Sequence, residues 1–406
     1  MYRKRRVVIT GVGAVAPKAI GVEQFWSNLI LGHSAIDYIK SFDVSTLKCK
    51  IGGEVGKIDT SEYFDSSIKI NRYGKNALFG LVSSVMALRS SRLELDGKLR
   101  ANLSLVMGVT GGPLDIMMKH VPRSSPSPLF IPAGTANSVC TVISEYFGLH
   151  ARSLTTSTAC AAGLDAMGIA YQRIRSGEEE IILAGGSDST IAFHPFADLE
   201  ACGMLTDRND PPEKASRPFD LKRDRGLASE GAGVCIFEEL KHAKARKAPI
   251  YAEVIGCRSN LDPHDGEHGS GLVESMQGAM DDGSISTHRV QYINAHGPSD
   301  RNMDRVESDA IKKVFGQHAR KVMISSIKGV TGNPFAAGGA LQMVASALTI
   351  DRKMVHPTAN YEIPDPICDL DFVPGAARKV SIDTMLVNSH GMGGGNCTIA
   401  LARFKE

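Results

Sequence analysis

Ser153-Leu154-Thr155-Thr156-Ser157-Thr158-Ala159-Cys160-Ala161-Ala162-Gly163-Leu164-Asp165-Ala166-Met167 is the stretch that decides how this chain folds. A β-branched run stops, small residues turn, and a Gly/Ala-rich helical pattern follows with Cys160 at its head. Helices so rich in small residues let backbones approach closely, which suits a buried helix inside a layered fold. A second segment, Val322–Met343, ends Ala336-Ala337-Gly338-Gly339-Ala340-Leu341-Gln342-Met343 and repeats the scheme. The echo points to two related halves, residues 1–250 carrying Cys160 and residues 251–406 carrying the later motifs.

Outward from these segments, short β-branched runs recur, each followed by Gly or Ser and a helical pattern. They are Arg6–Thr10, Ser104–Met107, Glu180–Ala184, Tyr251–Ile255, Val290–Ile293 and Thr384–Val387. Strands alternating with helices predict an α/β fold with covered sheets. Pro122–Pro132 is Pro/Ser-rich and reads as a loop.

The chain has 406 residues, 43% of them apolar, enough for a large core. Its net charge of +2 implies no polyanionic partner, nucleic acid included. The Arg3-Lys4-Arg5-Arg6 run leads into a strand and reads as a solvated flank, with docking of an anionic carrier as the lesser alternative. No apolar run approaches the roughly 18 residues that a membrane span needs. The start, Val7-Val8-Ile9-Thr10-Gly11-Val12-Gly13, is a strand and turn rather than a signal peptide. Eight scattered cysteines without a CxxC pair read as reduced thiols of a cytoplasmic protein, with no metal site.

Four segments carry candidate chemistry. Cys160 heads a helix, where the dipole favours thiolate; a buried, inert thiol fits the local pattern equally well. Tyr292-Ile293-Asn294-Ala295-His296-Gly297 delivers a histidine from a strand into a Gly turn, a place that also suits a structural histidine. Ser325–Pro334 sets Lys328 in an apolar, glycine-rich context, where an unpaired charge is costly; an exposed turn lysine is the alternative. Val387–Asn396 is rich enough in glycine for backbone N–H groups to reach a ligand, as an oxyanion hole requires, or it is a plain turn.

Together, in this order, these segments resemble the elongating β-ketoacyl–acyl carrier protein synthases of fatty acid and polyketide synthesis. Ala215-Ser216-Arg217-Pro218-Phe219-Asp220, Ser229-Glu230-Gly231-Ala232-Gly233 and Glu238-Glu239-Leu240 carry the resemblance further, so that it runs nearly end to end. It implies a thiolase-like αβαβα sandwich of two similar halves. It implies a dimer, with itself or with a paralogous subunit, and an acyl carrier protein whose phosphopantetheine arm brings the substrates, with no bound cofactor. The implied reaction loads an acyl group on Cys160 and then condenses it with a malonyl unit that loses carbon dioxide. In that scheme His296 is a donor to the developing enolate. Lys328 and Glu307 are a paired lysine and acid that orient the site. The N–H groups of Cys160 and Met392 form the oxyanion hole.

The sequence departs from the resemblance at three places. Asn333 stands where elongating members have a second histidine, giving a Cys-His-Asn set similar to that of initiating ketosynthases. After His296 the chain reads Gly297-Pro298-Ser299-Asp300, without the family's two pantetheine-holding threonines, so that Ser299 and Asp300 become the candidates for that role. His390 and Met392 replace two phenylalanines of the gate, and Gly226 replaces a third. These changes point to a specialised-metabolism ketosynthase. The other readings are a malonyl-carrier decarboxylase or non-elongating acyltransferase, and a non-catalytic chain-length partner. Thiolase chemistry is disfavoured, because Cys397 lies inside a strand-like run and no second catalytic cysteine follows the glycine turn.

Overall fold

The computed structural model describes residues 4–120, 125–128, 130–264 and 269–405. Ten strands carry the argument: β1 (Val7–Ala16), β2 (Ser104–Gly108), β3 (Ser153–Thr156), β4 (Ile181–Ser189), β5 (Glu230–Glu239), β6 (Ala252–Leu261), β7 (Tyr292–Asn294), β8 (Met323–Ser325), β9 (Thr384–His390) and β10 (Gly395–Ala402). Six helices pack on them: α1 (Lys75–Ser91), α2 (Ser138–Phe147), α3 (Ala162–Ser176), α4 (Ser270–Asp282), α5 (Arg301–Phe315) and α6 (Ala336–Arg352). Every strand expected from β-branched runs is present and starts within two residues of the expected place, but β1, β4 and β6 run five or six residues further, β1 through the Gly11–Gly13 segment expected to turn.

The strands run β8-β7-β9-β10-β6-β1-β5-β4-β2-β3. This order is one five-strand pattern used twice. In the first half β2 pairs parallel with β3 and β4, while β4–β5 and β5–β1 are antiparallel. In the second half β7 pairs parallel with β8 and β9, while β9–β10 and β10–β6 are antiparallel. The halves join where Val7–Ile9 of β1 pairs with Ala252–Val254 of β6. The echo between residues 153–167 and 322–343 is therefore β3–α3 against β8–α6.

Five layers result. Helix α1 covers β1 and β5 from outside, and α4 covers β6 and β10. Between the sheets lie α3, touching β2 and β4 of one half and β6 and β10 of the other, and α6, touching β4, β5 and β9. A helix covered on both sides must be apolar or small all round, and α6 is buried at every position from Ala336 to Ile350. Glycines set how closely these layers approach. A Cβ on Gly163 would come within 2.1 Å of the Ala336 carbonyl oxygen, and one on Gly233 within 2.5 Å of the Ala340 carbonyl carbon.

Some expectations shift. Within Pro122–Pro132, residues 122–124 and 129 lie outside the described residues, and Phe130–Gly134 is a helical turn rather than loop. Arg3 also lies outside them. Arg6 is tied to Glu253 at 2.7 Å, so the basic run is partly anchored at the seam between the halves. Cys397 is buried in β10.

Replacing Gly163 by Val should destabilise the protein by about 3 kcal/mol, the upper end of overpacking costs, because a helix backbone gives way less than a side chain. Gly97→Ala, at a site with nothing within 4 Å, is the control and should be neutral or better. Urea midpoints for the two variants check this, and equal midpoints would show that the central layer is loosely packed.

Candidate active site

β3 ends at Thr156, and the chain turns through Thr158 and Ala159 to reach Cys160 two residues before α3 begins. Ala159 has φ 51°, a conformation rare for a residue with a Cβ. Two contacts hold the turn. Thr158 donates its hydroxyl to Asp165 in the first turn of α3, and the Ala161 N–H donates to the Thr158 carbonyl at 3.2 Å. The glycine-rich end of β9 closes over it. Ser389 Oγ donates to the Cys160 carbonyl at 3.0 Å, and a Cβ on Gly391 would lie 3.1 Å from the Cys160 nitrogen. A side chain at 391 would press on the turn that carries Cys160.

Cys160 is only 3% exposed. Burial pushes its thiol above the ordinary value, opposed by Lys328, by the Asn333 side chain and by the Met392 N–H; the carboxylate of Asp188 adds to the rise. The expectation of a dipole-lowered thiol is thus corrected. The helix N-terminus contributes, but desolvation of a fully enclosed sulfur outweighs it.

His296 follows β7. Its main-chain N–H and that of Gly297 donate to the two oxygens of Glu307 on α5, at 2.9 and 2.8 Å. Asn388 adds a third donor at 3.3 Å. Glu307 and Lys328 do not touch, so the expected lysine–acid pair is corrected: the carboxylate is occupied by backbone N–H groups and reaches the lysine only through its field. Lys328, fully buried, instead turns its ammonium to the His296 carbonyl, to His296 Nδ1 at 3.3 Å and to Gln342 Oε1 at 3.2 Å. Burial pulls Lys328 down to about 8. Burial first, then Lys328 and His390, hold His296 well below the usual histidine range. The imidazole is therefore neutral. With the lysine donating to Nδ1, its proton sits on Nε2, and Nε2 is buried without a protein partner.

Asn333 sits between the short helix Lys328–Thr331 and α6, with its main chain paired to Leu227 and Ser229. Its side chain is near enough to the Cys160 sulfur to favour the thiolate, while its Oδ1 is buried and unpartnered. Asp188, at the end of β4, anchors this region. It accepts the Thr110, Gly111 and Ala336 N–H groups at 2.9, 3.3 and 3.0 Å, so it caps α6 from the other half.

His390 is buried beside His296, ring centres 6.4 Å apart, and bonds Asn396 through Nδ1. Met392 is 45% exposed, and its main-chain N–H favours the Cys160 thiolate. Gly226 faces the turn after His296, where a Cβ would come 3.5 Å from the Pro298 oxygen. The candidate pantetheine ligands Ser299 and Asp300 already have protein partners. Ser299 is fully buried, and its hydroxyl accepts the Arg217 N–H at 2.8 Å. Asp300 is the N-cap of α5, accepting from Asn302 and Met303 at 2.9 Å each. Sequence reasoning missed Asp188, Asp165 and Gln342; a lone Gln in a helix of small apolar residues was the one visible signal. Among the described residues no group of three or more His, Cys, Asp or Glu could hold a metal ion.

Residues 4–243 match the family model for the beta-ketoacyl synthase N-terminal domain, and residues 251–362 match that for the C-terminal domain. The chain is 38% identical to 3-oxoacyl-[acyl-carrier-protein] synthase 2 of Coxiella burnetii, over 98% of this chain and 99% of the other. It is 34% identical to the tetracenomycin polyketide synthase ketoacyl synthase alpha subunit of Streptomyces glaucescens, over 100% and 99%. Among solved structures it superposes on a ketosynthase in complex with its type II PKS acyl-carrier protein and bound to the hexaketide. There the TM-score is 0.89 and the identity 32%, over 99% of this chain and 100% of that one.

Iodoacetamide should alkylate Cys160 slowly near neutral pH and faster as pH rises into and above the ordinary thiol range. Lys328→Met removes the strongest influence opposing burial, and labelling near pH 8 should fall about tenfold. Peptide mass spectrometry reads the rate; unchanged labelling would mean that the lysine's field does not reach the sulfur.

Proposed function

The chain belongs to the beta-ketoacyl synthase family, and on that premise we propose that it joins an acyl group held on Cys160 to a malonyl unit by decarboxylative condensation. The observation that carries this reading is a buried sulfur and a neutral imidazole with an unpartnered Nε2, both under the influence of the one buried lysine, Lys328. Both substrates arrive on the phosphopantetheine arm of an acyl carrier protein, and no resident cofactor is needed.

In the first stage the Cys160 thiolate attacks the acyl-carrier thioester. The tetrahedral oxygen is stabilised by the N–H groups of Cys160 and Met392, and the carrier leaves as a thiolate that takes up a proton, balancing the one Cys160 gave up. In the second stage malonyl-carrier enters. His296 Nε2–H and the Asn333 amide donate to its thioester oxygen, which gathers charge as the C–C bond to the carboxylate breaks. Carbon dioxide departs and the enolate carbon attacks the acyl-cysteine carbonyl. The Cys160 thiolate is expelled, leaving a β-ketoacyl chain two carbons longer on the carrier. Lys328 and Glu307 hold His296 in place and never touch substrate. His390, Met392 and Gly226 line the way in for the acyl chain, a gate without the usual phenylalanines. That favours the polyketide branch over housekeeping fatty acid synthesis.

We also treat residues 1–250 and 251–406 as the two thiolase-like halves. A dimer, with itself or with a paralogous subunit, fits the uneven sheet edges. β8 is covered by Asp371, which accepts the Ile324 N–H, whereas β3 is half-exposed along its length and Leu154 is 38% exposed. An uncovered edge strand is a ready pairing surface. Among the described residues no helix is long and apolar enough to cross a membrane. Eight unpaired cysteines suit a reducing compartment, and we place the reaction in the cytoplasm.

Asn333 supports a second reading, a malonyl-carrier decarboxylase that does not elongate. Incubation with acyl-carrier and malonyl-carrier separates them: a β-ketoacyl product two carbons longer supports condensation, and acetyl-carrier alone supports the second reading. Cys160→Ala should abolish loading. His296→Ala should slow decarboxylation about 10²–10³-fold while sparing loading, the usual cost of one lost donor. Decarboxylation at the wild-type rate in that variant would remove the role given to His296.

A further inference from the structure

Gln342 is fully buried midway along α6. Its amide nitrogen faces three main-chain carbonyls: Asn294 at 3.1 Å, Ala295 at 2.8 Å and Asn388 at 2.9 Å. An amide nitrogen among carbonyls fixes which way the group points, so the oxygen must face Lys328. There it accepts from Nζ at 3.2 Å. The other two acceptors of Nζ are the carbonyl and Nδ1 of His296. An ammonium has three N–H groups, and here three acceptors surround it.

We propose that Gln342 is a positioning residue of the condensing site. By taking one N–H of Lys328 it keeps the ammonium donating to Nδ1 of His296, and so keeps the imidazole proton on Nε2. The inference rests on the role given to His296 above.

An uncharged lysine has two N–H groups and a lone pair. Nδ1 can then carry the proton and donate to the amine, which leaves Nε2 bare and unable to stabilise an enolate. Decarboxylation therefore declines as pH rises through the lysine's titration. The groups that favour the ammonium are Glu307 and Asp304 on α5 and Cys160 at the head of α3; burial opposes them. His296 lies against it, with His390 of β9 behind. Gln342 contributes an acceptor but no charge, so its substitution tunes that balance.

The test measures malonyl-carrier decarboxylation against pH for wild type, Gln342→Met and Gln342→Glu, with Cys160 loading followed in parallel. Loss of the acceptor should move the alkaline limb down by about one pH unit, and an added carboxylate should move it up. A merely structural amide would change rates and leave the limb in place. Limbs that coincide with wild type, or that shift in one direction for both variants, overturn the inference. If one variant does not fold, the limb of the other decides. A wild type that releases no carbon dioxide at any pH overturns the reading of the site itself, and this inference with it.

Discussion

The site exists because two helix backbones from different halves touch. With no Cβ at Gly163, the start of α3 comes within van der Waals reach of Ala336 at the start of α6. Each helix is preceded by the turn that carries chemistry: Cys160 before α3, and Lys328 to Asn333 before α6. Bringing the two N-terminal ends together is what sets the Asn333 amide against the Cys160 sulfur. Asp188 fastens the junction, since its carboxylate bonds the ends of β2 and α6 at once. A larger residue at 163 would part the helices and separate sulfur from amide.

Being at the centre of five layers fixes the electrostatics. For Cys160, His296, Lys328 and Glu307 alike, desolvation is the largest influence, and it favours the neutral form of each. The protein answers with hydrogen bonds more than with ion pairs. Two backbone N–H groups oppose the effect of burial on Glu307, and Lys328 sits among a carbonyl, a ring nitrogen and an amide oxygen. A direct buried ion pair would gain Coulomb energy at the expense of desolvating both charges. Here each charge has dipoles around it, and the histidine between them is kept neutral.

Much of this was legible in the sequence, and the reason is local. The strands, the turn at Cys160 and the Gly/Ala-rich helices α3 and α6 are written in adjacent residues. The duplicated strand order follows from the same echo. What could not be read depends on contacts between distant residues. Ser299 looks like a free hydroxyl in sequence, yet the Arg217 N–H occupies it. Asp300 looks like a ligand, yet it caps the helix that it begins. The thiol of Cys160 looks activated by its helix, yet enclosure by β9 raises it. Asp188 and Gln342 have no motif; only packing shows that the first caps a helix of the other half and that the second meets Lys328.

Asn333, which cannot titrate, is less of a handicap than it first appears. Proton accounting for the condensation balances without a second acid or base. The malonyl carboxylate leaves as carbon dioxide and its bonding electrons become the enolate. The enolate attacks the thioester, and the negative charge ends on the Cys160 sulfur. The step needs donors that hold an oxygen's charge for a moment, and an amide supplies one as well as an imidazole does. Loading does release a proton as the thiolate forms, and the groups that govern it are Cys160 itself and Lys328, both set by burial. The division of labour then follows from position: Cys160 and Lys328 govern the sulfur, while Asn333 and a neutral His296, its proton placed by that same lysine, govern the enolate.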